Sequence, residues 1–137
     1  MAAEGADTTS DQVAPHARYL EGLDLGELRY QHCEGCRAAV FPPRVLCDRC
    51  GSTTLSFAVS AGLGTVYSAT AVTQRDRPSY SVCLVDLDEG FRMMSSVVDG
   101  AAEDVAIGTR VAARFEPVED ADAFGQTVRV AFGPVPP

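Results

Sequence analysis

Lysine and tryptophan are both missing from this chain, and histidine occurs only twice among its 137 residues. All 11 basic residues are arginine, set against 19 acids, for a formal net charge of −8. A protein that tracks a phosphate backbone presents a basic surface, so this balance speaks against nucleic-acid binding. Residues 61–137 sharpen the point, with eleven acids, six arginines and few aromatics on which bases could stack. No apolar run approaches the roughly 20 residues of a membrane span. The start, MAAEGADTTSDQVAP, has neither the basic residues nor the apolar stretch of a secretory signal, so a cytoplasmic protein is expected. There is no G-x-S-x-G, and His16 and His32 stand in no recognisable catalytic setting. No acyl-transfer machinery can be assembled from these parts, which points to an accessory or binding role and not to an enzyme.

What is present is mostly strand pattern. Residues 62–72 (GLGTVYSATAV) are small and β-branched, entered through a glycine pair. Residues 80–98 read as two strands joined by a turn at Asp88-Glu89-Gly90. In 108–118, Val111, Ala113 and Phe115 alternate with Arg110, Arg114 and Glu116, and 127–132 repeats the pattern with Val128, Val130 and Phe132 inward. The link at 99–107 has room for a helical turn, and loop 118–125 is acidic and exposed apart from Phe124. Five such strands close most economically into a small barrel, with the five-stranded OB-fold as the default. The final GPVPP is expected to be a tail that extends no strand.

Ahead of the barrel, residues 17–28 place Tyr19, Leu20, Leu23, Leu25 and Leu28 among acids, the pattern of a short amphipathic helix. Gly22 and Gly26 each cost it about 1 kcal/mol relative to alanine, so it needs support, either from its own domain or from a partner. The expected division is a disordered segment over 1–16, helix and ribbon over 17–57, barrel over 58–133, and a tail at 134–137.

Four of the five cysteines lie in CEGCRAAVFPPRVLCDRC, as Cys33–Cys36 and Cys47–Cys50. Two C-x-x-C turns separated by ten residues suit tetrahedral thiolate coordination. In a reducing compartment such cysteines bind metal more often than they form disulfides. Gly51 suits the left-handed backbone of the second turn, whereas Arg37 stands at that place in the first. A site with four thiolates is closed to substrate and folds its segment, as a rubredoxin-like zinc ribbon does. Structural zinc is expected, with iron as the rival, since spacing does not separate the two all-thiolate metals. His32 is read as a surface neighbour, and Cys83, between Val82 and Leu84, as a small hydrophobe buried in a strand. Arg29, Arg37, Arg44 and Arg49 outnumber the acids Glu34 and Asp48 around the ribbon. They either offset the net negative charge of the metal centre or form an anion site for phosphates.

Phe41-Pro42-Pro43-Arg44 between the cysteine pairs, Gly62-Leu63-Gly64-Thr65-Val66 at the barrel entry, and VCLVDLDEGFRMMSSVV (82–98) follow one another in a specific order. In this order the chain resembles, over about residues 17–132, the zinc-ribbon/OB-fold proteins long labelled a domain of unknown function, which accompany thiolases. Arg37, where that family usually has glycine, and the lack of tryptophan are departures. The resemblance implies a mainly β protein: short helix, four-cysteine ribbon, five-stranded OB-fold barrel. It implies a companion of a thiolase-fold enzyme, such as a thiolase, an acyltransferase or a lipid-transfer-protein-like aldolase of steroid side-chain degradation. Such a complex is a heterotetramer or larger, in some cases with a hot-dog-fold acyl-CoA hydratase, and the catalytic residues sit on the partner. Under that resemblance Cys33, Cys36, Cys47 and Cys50 hold the metal. Tyr19, Leu20, Leu23, Phe41, Pro42, Pro43 and Arg44 are the candidate contacts to the partner or to CoA. Three other readings remain at this stage: a nucleic-acid module, a rubredoxin-like electron carrier, and a stand-alone acyl-CoA binder or thioesterase.

Overall fold

The N-terminal helix, α1, runs Pro15–Asp24. Proline at its start has a fixed φ and no N–H to leave unpaired, which suits a first helical turn. The helix thus takes in Pro15 and His16, two residues expected to be disordered. The computed structural model describes residues 14–119 and 126–135, so the rest of that expected segment, most of the 118–125 loop, Phe124 included, and the last two prolines lie outside it. The described chain divides into two units between Ser60 and Ala61.

In the first unit, α1 ends four residues before the expected Leu28, because the chain reverses over Leu25–Glu27, where the Glu27 N–H bonds the Gly22 carbonyl at 2.7 Å. Leu28 instead opens strand β1 (Leu28–Cys33), which pairs with β2 (Ala39–Val40) on one side and β3 (Leu55–Ser60) on the other, both antiparallel. Helix α1 docks on its own unit, where Leu23 is 2% exposed. Gly22 makes that docking possible, since a Cβ there would meet the Arg29 side chain at 2.6 Å. The Arg29 guanidinium bonds the Arg18 carbonyl at 2.9 Å and the Glu27 carboxylate at 2.9 Å, tying helix to strand. A propensity cost in the helix is therefore offset by an arginine that fastens it.

The second unit is a five-stranded antiparallel sheet: β4 (Leu63–Val72), β5 (Tyr80–Leu87), β6 (Arg92–Ser95), β7 (Arg110–Pro117) and β8 (Val128–Pro134), in the order β6-β5-β4-β7-β8. The turn at Asp88–Gly90 and a 3-10 turn at Ala102–Asp104 fall where expected. At Gly64 the neighbouring strand comes so close that a Cβ would meet the Asp86 carbonyl at 2.6 Å. The sheet curls until its ends meet. Val97 and Phe132 form a parallel bridge, with Phe132 N–H to Ser96 O at 2.9 Å and Val98 N–H to Phe132 O at 2.7 Å. Val66, Val85, Val111 and Phe132, all at most 1% exposed, fill the interior. This is the expected mainly β, OB-type architecture.

One expectation fails at the end of the chain: β8 continues through Gly133 and Pro134. Proline is tolerated there because the next residue, Val135, donates to Arg110 O at 2.9 Å, which leaves the Pro134 nitrogen facing away from β7. The seam depends on Ser81, which is 2% exposed. Its hydroxyl accepts the Val97 N–H at 2.9 Å and donates to the Val97 carbonyl at 3.1 Å. Ser81→Ala strands both buried groups and is expected to destabilise the barrel by about 1–3 kcal/mol, read as a lower urea midpoint.

Candidate metal centre and docking surface

The two C-x-x-C turns share one hydrogen-bond plan. Cys33 N–H bonds Ala38 O at 2.9 Å and Arg37 N–H bonds Cys33 O at 2.8 Å, while Cys47 N–H bonds Ser52 O at 2.9 Å and Gly51 N–H bonds Cys47 O at 2.9 Å. The residue after each pair is left-handed, with φ of 65° at Arg37 and 77° at Gly51. Glycine adopts this freely, whereas Arg37 does so against a side-chain penalty. The departure from glycine has therefore not altered the turn.

These turns bring all four sulfurs within 4.8 Å of one another. Sγ of Cys33 lies 3.5 Å from that of Cys50, and Sγ of Cys36 lies 3.7 Å from that of Cys47. Metal–sulfur bonds of about 2.3 Å at tetrahedral angles require sulfurs about 3.8 Å apart, so the donor set fits a four-thiolate metal. Backbone amides favour the thiolate form: Cys36 N–H points at Cys33 Sγ at 3.5 Å and Arg49 N–H at Cys47 Sγ at 3.4 Å. The Cys36 amide leads in holding the Cys33 thiol down, at about 6. At Cys50 the Ser52 amide acts in the same direction, but the facing Cys33 sulfur and partial desolvation outweigh it and push that thiol up to about 11. Adjacent thiolates repel, so a cation is what lets all four ionise together. Cys33 and Cys47 are buried with Val40, and Leu55 packs on them.

Between the pairs, Phe41-Pro42-Pro43-Arg44 follows β2, with a cis bond before Pro42. Phe41 meets the Tyr19 ring edge-on at 5.6 Å, so two of the expected contact residues touch each other. Burial pushes the Tyr19 phenol up to about 12. Leu20 and Pro43 are half-buried and Pro42 is exposed, whereas Leu23 faces the interior of its own unit. The largest apolar exposure in this stretch is at Val45 and Leu46, 50% and 48% exposed. The residue that sequence reasoning missed is Gln31, 1% exposed, whose carboxamide bonds the Arg44 backbone at 2.9 Å and 2.7 Å. Strand alternation back from Cys33 was the available signal, since it puts residue 31 on the same inward face.

Of the arginines, Arg29 is committed to α1, whereas Arg37 and Arg49 are exposed beside the cysteines. Cys83 is 1% exposed within β5, the surroundings of a small hydrophobe. No helix among the described residues is long and apolar enough to cross a membrane.

Comparison with known proteins agrees with this layout. Residues 20–56 match the family model described as the rubredoxin-like zinc ribbon domain of ChsH2, and residues 58–116 that of the C-terminal OB-fold domain of ChsH2. A "DUF35 domain-containing scaffold protein" from Methanocaldococcus jannaschii is 33% identical over 110 residues, covering 75% of this chain and 78% of the relative. A "Probable enoyl-CoA hydratase alpha subunit" from Thermomonospora curvata is 32% identical over 100 residues, 70% of this chain, but the match spans only 31% of that longer protein. Among solved structures, a chain of the "Ltp2-ChsH2(DUF35) aldolase" superposes with a TM-score of 0.71 at 30% identity, covering 86% of this chain and 92% of that one. A ribbon of two matched C-x-x-C turns followed by a curled five-stranded sheet, in a chain similar to these proteins over most of its length, belongs to the DUF35 family, with the zinc-ribbon and OB-fold domains of ChsH2.

Proposed function

We propose that this chain is a non-catalytic subunit of a heteromeric complex, docked on a thiolase-fold enzyme that makes or breaks a C–C bond in an acyl-CoA. The observation that carries this reading is the likeness, in sequence and fold, to nearly the whole of a chain from an aldolase with two named components. The word "scaffold" in the name of the M. jannaschii relative supports a supporting role, and the hydratase name of the T. curvata relative supports an acyl-CoA hydratase as a further neighbour. Steroid side-chain degradation is the narrower form of the reading. Arg37, Arg44 and Arg49 are the cations best placed on the ribbon to meet CoA phosphates. Residues 17–57 serve as the docking module, with Tyr19, Leu20 and Phe41–Leu46 at the contact, and 58–133 as the barrel domain.

The metal in this reading is zinc, held by Cys33, Cys36, Cys47 and Cys50, which lends the ribbon its fold and leaves no coordination position for substrate. Purified protein is expected to be colourless with one zinc per chain; a red, iron-containing protein would overturn the assignment. Co-expression with a thiolase-fold protein, sought among the neighbouring reading frames, is expected to yield a heterotetramer or larger. The partner then turns over acyl-CoA, and this chain alone does not. A stable monomer that neither binds nor affects that neighbour would sink the proposal. The acidic barrel half argues against the nucleic-acid alternative, which salt-dependent binding of single-stranded oligonucleotides would revive.

A further inference from the structure

We infer that Gln31 is a positioning residue that sets the Phe41–Leu46 segment in its partner-binding conformation, an inference that rests on the docking role proposed above. Gln31 sits in the middle of β1, its backbone opposite Val40 of β2 and Phe57 of β3. Its side chain adds a third pairing. Nε2 donates to the Arg44 carbonyl at 2.9 Å, and the Arg44 N–H donates to Oε1 at 2.7 Å. This two-way exchange is what a neighbouring strand would provide, delivered here by a carboxamide.

One residue therefore holds the segment at both ends, through Val40 at the start and Arg44 at the close. Between these points lie Phe41, whose ring rests against Tyr19, and two prolines with fixed φ and no N–H to satisfy. Beyond Arg44, the half-exposed Val45 and Leu46 span only the gap to Cys47, itself fixed in the sulfur cluster. With both flanks anchored, these apolar side chains stay on the surface instead of folding inward. A segment ordered in advance loses less freedom when a partner covers it, so the clamp acts on affinity through the loop it holds.

The test uses Gln31→Met, which keeps length and volume but exchanges no hydrogen bonds, and Gln31→Glu, which keeps an acceptor for the Arg44 N–H. Trypsin reports locally, because Arg37, Arg44 and Arg49 are three cleavage points on one ribbon. In Gln31→Met, with zinc content unchanged, cleavage after Arg44 is expected to accelerate relative to cleavage after Arg37 and Arg49. Affinity for the thiolase-fold partner is expected to fall about tenfold, with Gln31→Glu between the two. If Gln31→Met loses its metal, the comparison is carried by Gln31→Glu. Equal acceleration at all three arginines would reduce Gln31 to a general stabiliser and overturn the inference. Faster cleavage at Arg44 with unchanged affinity would overturn it as well. Failure of the unaltered chain to bind the partner sinks the docking role and this inference with it, whereas normal binding by the clamp variants sinks the inference alone.

Discussion

Stripping the metal with a chelator, or replacing Cys47 with serine, is expected to unfold residues 28–60 and leave the barrel unit folded. The ribbon has little else to hold it. Strand β2 has two residues, and the buried cluster around the sulfurs consists of Cys33, Val40 and Cys47 with Leu55 packed on it. A four-thiolate metal supplies about 10–16 kcal/mol of binding energy that appears as folding energy, more than such a cluster can replace. The barrel has its own interior around Val66, Val85, Val111 and Phe132 and its own seam at Val97–Phe132, none of which involves a metal. An amide correlation spectrum checks this: signals of 28–60 collapse to the narrow dispersion of a disordered chain while those of the barrel persist. Retention of ribbon signals in the metal-free protein would contradict the argument. Lowering the pH acts in the same direction as chelation, because protons compete with the metal for the thiolates.

Val45→Asp with Leu46→Asp is expected to abolish co-purification with the proposed thiolase-fold partner while the chain keeps its fold. Both side chains are about half exposed, so charge at these positions removes little buried packing from the isolated chain. In a covered interface the same two carboxylates would have to be desolvated without a counter-charge. Replacement of two central apolar contacts costs about 2 kcal/mol or more each where they are hot spots, and burial of unpaired charge adds to that. The combined loss exceeds a hundredfold in affinity, on the scale of about 1.4 kcal/mol per tenfold. Size-exclusion chromatography of co-expressed subunits separates the outcomes. A complex that survives both substitutions would place the contact elsewhere on the molecule.

Much of the fold is legible in local sequence patterns. Cysteine spacing named the four sulfurs that the fold gathers within 4.8 Å of one another, and the apolar alternation around Val111 and Val128 located the last two barrel strands, because both signals are local in sequence. Boundaries were less legible. Leu28 continued the helical pattern of Leu20 and Leu23, yet it begins β1, since pairing with β3 outweighs a helix weakened by two glycines. Pro134 read as a strand terminator, and only the direction in which its nitrogen points within β8 allows it to stay.

The sequence by itself determined the four-cysteine cluster, the strand-rich barrel and the order of parts, because coordination chemistry and side-chain alternation are written in spacings of two and three residues. Tertiary structure alone decided that Leu23 turns inward, that Gly22 makes room for Arg29, and that Gln31 grips Arg44 thirteen residues away. The first two depend on how the helix packs on its strand, and the last on which backbone groups remain unpaired after the sheet has formed. No local pattern records that, because the partners meet only when distant segments are brought together.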